Sequence, residues 1–516
     1  MEKKKSESKD NLLPSINADN LGLLYSKQMS SIQKKKIGQF FTPHAIATLM
    51  ASLTTNKKKT IRILDPGCGT LILTCALVEK LIDINKGLKK IELLVYENDK
   101  DLLPKTIESI KYLNRWLNKK NVEFTYSLSK EDFVLKNAKF LTSDIGKNGF
   151  DIIISNPPYF KLSKDDPKSI AAKHIVNGQP NIYAIFMAIS AKMLSPSGEL
   201  IFITPRSFAS GSYFESFRHL LFKTVQLEHI HLFDSRKATF SRDKVLQETI
   251  IIKARKETID GRKNVIISSS SGITDIQKSK HKSFKLNEIV ELESKGKILH
   301  VPINEIEEAL FKLVKTWRSK LEDLKINIST GPVVSFRALN FLSEKPKTKN
   351  KVLVPLFWIH NVNKMHIDWP VKYKDKFQYI SQEDKSKSLL IPNKDYILLR
   401  RFSTKDDNSR LIAAPHFSSN TKADFIGVEN KLNYIYRKDG KLSETEQIGL
   451  CSLLNSELFN IYFQIFNGNV NVSATELREM RMPALSDIEK IGNLIREEDN
   501  YSMKNINRVI SNYFKL

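Results

Sequence analysis

The stretch FDIIISNPPY, Phe150 to Tyr159, decides the fold. Its first six residues form a short apolar, β-branched run, and its last four form a stiff polar corner. A run of that kind predicts a strand buried on both faces, as in parallel sheets. Working outward, similar runs recur as IRILD (Ile61 to Asp65), IELLVYE (Ile91 to Glu97), GELIFIT (Gly198 to Thr204) and ETIIIKA (Glu248 to Ala254), separated by stretches of helix length. That alternation predicts an α/β, doubly wound sheet over residues 36–255. Residues 1–35 read as a polar, loose arm with one short helix from Leu21 to Gln33. KETIDGRK and SSSSG mark residues 256–302 as a connector. Residues 303–516 then form a second domain of mixed α and β character. Asn304 with Glu307 opens a helix there, and Ile306, Leu310, Leu313, Val314, Trp317, Leu321 and Leu324 continue a stripe expected to be core. A further helix is expected near Leu453 to Phe466.

The corner Asn156-Pro157-Pro158-Tyr159 carries the chemistry. Each proline fixes its own φ, and Pro157 drives Asn156 to extended backbone, so the Asn156 amide and the following carbonyl become rigid acceptors. At the carboxyl end of a parallel strand such groups face the crevice where α/β sheets bind ligands. One amide oxygen plus one carbonyl match the two hydrogens of an exocyclic amino group, and Tyr159 offers a flat face for a base.

Three further segments stand after strands, in order. ILDPGCGT (Ile63 to Thr70) ends one strand and opens a helix, so Gly67 and Gly69 let backbone approach a nucleotide-like ligand. Glu97 in VYEND sits where a carboxylate accepts from ribose hydroxyls. Glu131-Asp132-Phe133 then supplies an acceptor for an adenine amino group and an aromatic wall.

Composition agrees with an anionic partner. The chain has 516 residues, 82 Lys+Arg against 57 Asp+Glu, and a formal charge of +25. Such a surplus attracts nucleic acid. Cys68, Cys75 and Cys451 are too few and scattered for a disulfide framework or a metal site, so no metal is expected. With no apolar leader and no run near the ~18 residues of a membrane span, a cytoplasmic protein with no membrane partner is expected.

The set GQFFTP (Gly38 to Pro43), DPGCGT, YEND, EDF and SNPPYF resembles the γ-class adenine-N6 DNA methyltransferases of bacterial type II restriction-modification systems. The resemblance covers about residues 36–255. It implies a Rossmann-like methyltransferase domain using S-adenosylmethionine, followed by a target-recognition domain. Thr42 and Pro43 would hold the methionine part of the cofactor. Asp65, Gly67 and Gly69 of the glycine turn, with Glu97, Asp132 and Phe133, would hold the rest. Asn156 and Pro157 would bind the target amino group, Tyr159 would stack on an extruded adenine, and Phe240 in KATFSRDKV would form a second wall. One departure is Leu71, where the family usually has a third glycine: a leucine there either crowds the cofactor or repacks the helix start.

The implied partners are double-stranded DNA and a separate cognate endonuclease, with the enzyme acting as a monomer. GQFFTP begins too near the start to leave room for a fused nuclease. The second domain resembles the family in texture only, in TGPVVSFR, LLRRFSTK and NVNVSATELR. Arg337, Arg400, Arg401 and Arg410 are candidates for phosphate or guanine contacts. The alternatives are a protein-glutamine or ribosomal RNA methyltransferase, which carries no such basic second domain, and an inactive DNA-binding homologue.

Overall fold

A computed structural model describes residues 12–28, 41–143, 145, 148–175, 180–233, 249–273, 275–276, 279–346, 351–371, 376–402, 409–467 and 471–516. It divides into two compact units, Met1–Ile303 and Asn304–Leu516. Among the described residues no helix is long and apolar enough to cross a membrane.

The first unit is built on a nine-stranded sheet. Its strands are β1 (Thr60–Asp65), β2 (Lys90–Tyr96), β3 (Glu123–Ser129), β4 (Phe150–Ser155), β5 (Leu194–Pro205), β6 (Gln226–Phe233), β7 (Thr249–Arg255), β8 (Asn264–Ser270) and β9 (Lys280–Lys285). Their spatial order is 3-2-1-4-5-7-6-8-9. The strands from β3 to β5 are mutually parallel, and β7 runs antiparallel between β5 and β6. The order reverses between β1 and β4, which opens a crevice at their carboxyl ends. Every residue of β4 is buried.

Helices α1 (Pro14–Gln28), α2 (His44–Ser52) and α3 (Ile72–Ile84) contribute Ala18, Ile46, Met50, Cys75 and Leu77 to one apolar cluster with Ile63, Ile91 and Ile152 of the sheet. Each such side chain, fully buried, is worth roughly 1.5–3 kcal/mol if it is as large as isoleucine or leucine. The unit is completed by α4 (Leu103–Asn118), α5 (Phe133–Asn137), α6 (Pro167–Ala171), α7 (Ile182–Met193) and α8 (Glu215–Thr224).

Two sequence expectations require correction here. Residues 264–285 are no connector: β8 pairs in parallel with β6, and β9 pairs with β8, so they extend the sheet. Ser268 and Ser270 look like linker residues but hydrogen-bond His231 of β6 through its two ring nitrogens, at 2.8 and 3.0 Å. Nor is the N-terminal arm loose. Ser15 donates to both oxygens of Glu79 on α3, at 2.6 and 2.8 Å, and Gly22 lies so close to the glycine turn that a Cβ would stand 3.2 Å from Thr70.

In the second unit a four-stranded antiparallel sheet and a five-stranded mixed sheet lie between helices. The helix Glu305–Thr316 starts at Asn304, whose amide oxygen accepts from Glu307 N at 2.9 Å. Leu310, Phe311 and Val314 are buried, whereas Ile306 is exposed, because the apolar face turns inward only after the first turn. Trp317, Leu321 and Leu324 are buried beyond the helix end. The helix expected near Leu453 to Phe466 is two, Glu444–Asn455 and Glu457–Phe466, broken where the Ser456 hydroxyl caps Phe459 N.

Candidate active site

The glycine turn leaves β1 at Asp65 and enters α3 at Ile72. Gly69 has φ +52°, a left-handed conformation that glycine adopts without strain. Glu97, just past β2, braces this turn: one carboxylate oxygen accepts from Gly69 N at 3.1 Å and the other from Asp99 N at 2.9 Å. Burial holds its carboxyl above the usual carboxylate range. Asp65 lies deeper. It accepts from the Thr74 hydroxyl at 2.9 Å, and burial pushes its pKa up to about 7.

Asp132 caps α5, accepting from Leu135 N at 3.0 Å. Phe133 follows at once, its ring 5.2 Å from that of Tyr96 and 4.9 Å from that of Phe186 on α7. These rings form an apolar slot with the Asp132 carboxylate at its margin.

Asn156 stands immediately after β4. Its amide nitrogen donates to the Thr42 hydroxyl at 3.0 Å, which orients the amide and leaves the oxygen as the acceptor. The Tyr159 hydroxyl donates to that oxygen and also lies 3.1 Å from the Ile203 carbonyl at the end of β5. The Tyr159 ring meets Tyr183 edge-on at 6.3 Å, and burial raises the phenol's pKa far above its usual value.

A cavity of about 280 Å3 joins these pieces. Of the residues singled out in the sequence, Thr42, Gly67, Gly69, Glu97, Asp132, Phe133, Asn156 and Pro157 line it. Three do not. Asp65 supports the turn from below, Pro43 caps α2 with its carbonyl accepting from Ile46 and Ala47, and Tyr159 stands behind Asn156. Phe240 lies outside the described residues, as do Gly38 to Phe40. Sequence reasoning missed Phe41, Asp99, Phe160, Lys168 and Phe186, all of which line the cavity. It also missed Tyr25, whose hydroxyl donates to Asp99 at 2.7 Å and ties α1 to the site. The spacing Leu21, Tyr25 within a short apolar stretch was the one available signal.

The Eco57I restriction-modification methylase family model matches residues 70–240. M.BsuBI, a type II methyltransferase of Bacillus subtilis, is 32% identical over 472 residues, which are 90% of this chain and 91% of that protein. The chain belongs to the type II methyltransferases. M.PstI of Providencia stuartii, another type II methyltransferase, is 30% identical over 480 residues, 93% of each chain.

Leu71 is the methyltransferase's departure from the glycine pattern. It holds φ +73° at the N-terminus of α3, yet its side chain is fully buried in the core cluster and is absent from the cavity wall. The leucine repacks the helix start; it does not crowd the site.

In the second unit of the methyltransferase, the three stretches singled out in the sequence meet at residues 428–433. Gly331 N donates to Leu432 O and Val333 N to Val428 O, at 2.9 and 3.1 Å. A Cβ on Gly331 would stand 2.4 Å from Glu429 O, so only glycine allows this approach. Arg401 N donates to Lys431 O, and Val472 N to Arg401 O. The four candidate arginines differ. Arg337 is exposed, its guanidinium 5.4 Å above the ring of Phe336. Arg400 donates to Val362 O, Arg401 to Asn430 O, and Arg410 to the Asn467 amide, so these three help hold loops of their own unit.

Proposed function

We propose that this type II methyltransferase transfers a methyl group from S-adenosylmethionine to N6 of an adenine swung out of duplex DNA at a specific sequence. It would act in the cytoplasm, as a monomer, and protect host DNA against a separate restriction endonuclease. Residues 304–516 would serve as the target-recognition domain, with Arg337 the most accessible of its candidate arginines. The observation that carries the reading is the Asn156 amide, oriented by Thr42 so that its oxygen is the acceptor at the cavity edge.

The residues present suit the cofactor. Gly67 and Gly69 line the cavity without side chains, and a Cβ on Gly67 would stand 3.7 Å from Phe186, within the space a ligand would use. Glu97 offers acceptors for ribose hydroxyls, and the Phe133–Phe186 slot with Asp132 suits an adenine. S-adenosylmethionine supplies an electrophilic methyl group that needs only an in-line nucleophile. Adenine N6 is a poor one, because its lone pair is delocalised into the ring. Asn156 Oδ1 and the Pro157 carbonyl accept its two hydrogens, draw the nitrogen toward a tetrahedral state and aim the lone pair at the methyl group. The Tyr159 hydroxyl has the Ile203 carbonyl within reach, so it can yield Asn156 Oδ1 to the incoming amino group. Its ring, with Phe240, would then offset the few kcal/mol lost on unstacking the base.

The test is to incubate the full chain with tritiated S-adenosylmethionine and unmodified duplex DNA, then digest to nucleosides. Label in N6-methyladenine is expected; label in cytosine, or only in protein or RNA, contradicts the proposal. A second expectation concerns Leu71→Gly. Losing a buried leucine costs about 3 kcal/mol, and relief of the left-handed backbone returns about 1 kcal/mol, for a net loss of about 2 kcal/mol in urea denaturation. Calorimetric binding of S-adenosylhomocysteine should be no weaker than in the parent.

A further inference from the structure

Lys168 lines the cavity without a role in the scheme above. It sits on α6, twelve residues after Asn156, and its ammonium lies 3.5 Å from Asp132 Oδ2. Both side chains are about one-quarter exposed, on the cavity side. The other Asp132 oxygen is committed to Leu135 N. The margin of the Phe133–Phe186 slot therefore presents one acceptor and one donor side by side, at a spacing close to that of two parallel hydrogen bonds. α6 is itself fixed: Asp166 caps it through Lys168 N at 2.8 Å, and Ser169 donates to Ser163 O at 2.7 Å.

An aromatic slot edged by an adjacent acceptor and donor complements a flat heterocycle whose edge carries a donor beside an acceptor. The six-membered ring of adenine has that edge, in its amino group and N1. A 6-oxopurine has the reverse, and in the same pose would set N1–H against the ammonium and O6 against the carboxylate. We infer that Lys168 is a specificity-determining residue of the cofactor site, donating to adenine N1 while Asp132 accepts from the amino group. The inference rests on the reading that this cavity holds S-adenosylmethionine.

Calorimetry on the full chain tests it without turnover, using S-adenosylhomocysteine and its 1-deazaadenine analogue, which lacks the N1 acceptor. The wild type should bind the parent ligand about tenfold or more tighter than the analogue, the effect of one hydrogen bond to a charged group. Lys168→Met should bind both ligands alike, near the wild-type affinity for the analogue, and Lys168→Arg should restore part of the preference. Equal binding of the two ligands by the wild type, or a full preference kept by Lys168→Met, overturns the role of Lys168 and leaves the cofactor reading standing. Failure of the wild type to bind S-adenosylhomocysteine at all overturns both.

Discussion

Replacing Asn156 by alanine is expected to lower the rate of methyl transfer by about 10^2- to 10^3-fold or more, the scale seen when one preorganised hydrogen-bonding group is removed from a reacting centre. The side chain has two jobs that alanine cannot do. Its oxygen accepts from the amino group that must become nucleophilic, and its nitrogen ties the corner to Thr42. The prolines keep the backbone of the corner in place, so the loss should fall on kcat. DNA affinity by fluorescence anisotropy should hold, since phosphate contacts far outnumber contacts to one base. Tyr159→Phe provides the contrast: it deletes the hydroxyl that meets Asn156 Oδ1 and keeps the ring, so most of the rate should survive. Equal rates for Asn156→Ala and wild type would remove the role assigned to the amide.

The central strands were legible because burial on both faces leaves an unbroken apolar run, as in β4. β3 escaped notice because it lies at the sheet edge and mixes exposed polar residues with its apolar ones. β6 and β8 were hidden by a different cause: His231 and its serine partners are polar in the sequence but satisfy one another across the parallel pair. The site residues found by motif each follow a strand, where chain order alone fixes the position. Lys168 and Phe186 sit on helices, and Tyr25 on a segment that reads as an arm, so their arrival at the cavity depends on packing that no local pattern encodes. Pro43 and Asp65 show the converse. They belong to the right motifs, yet act one layer behind the cavity, as a helix cap and a turn support.

Glu199→Gln is expected to destabilise the first unit by about 3 kcal/mol, as removal of one partner from a buried ionic group does. Glu199 interrupts an otherwise apolar strand, and its side chain is wholly buried in β5. It accepts from the Thr54 hydroxyl at 2.6 Å, from the Thr55 hydroxyl at 2.7 Å and from Arg255 at 3.0 Å, with Lys253 at 3.5 Å. Glu228 serves the same two cations, pairing with Lys253 at 2.8 Å and with the Arg255 guanidinium, so two positive and two negative charges balance inside the sheet. Glutamine keeps the shape but leaves two cations sharing one carboxylate, and its NH2 must face groups that are themselves donors. Adding Lys253→Met restores the balance of charge and should recover about half of the loss, a coupling that a double-mutant cycle in urea measures directly. Glu199 pairs in register with Ile152, three residues before the strand end that leads to Asn156. Methyl transfer per folded molecule should therefore be unchanged while the unfolding midpoint falls. A neutral Glu199→Gln would mean that the neighbouring hydroxyls and Glu228 already compensate the buried cations, and that the carboxylate's charge contributes nothing to the sheet.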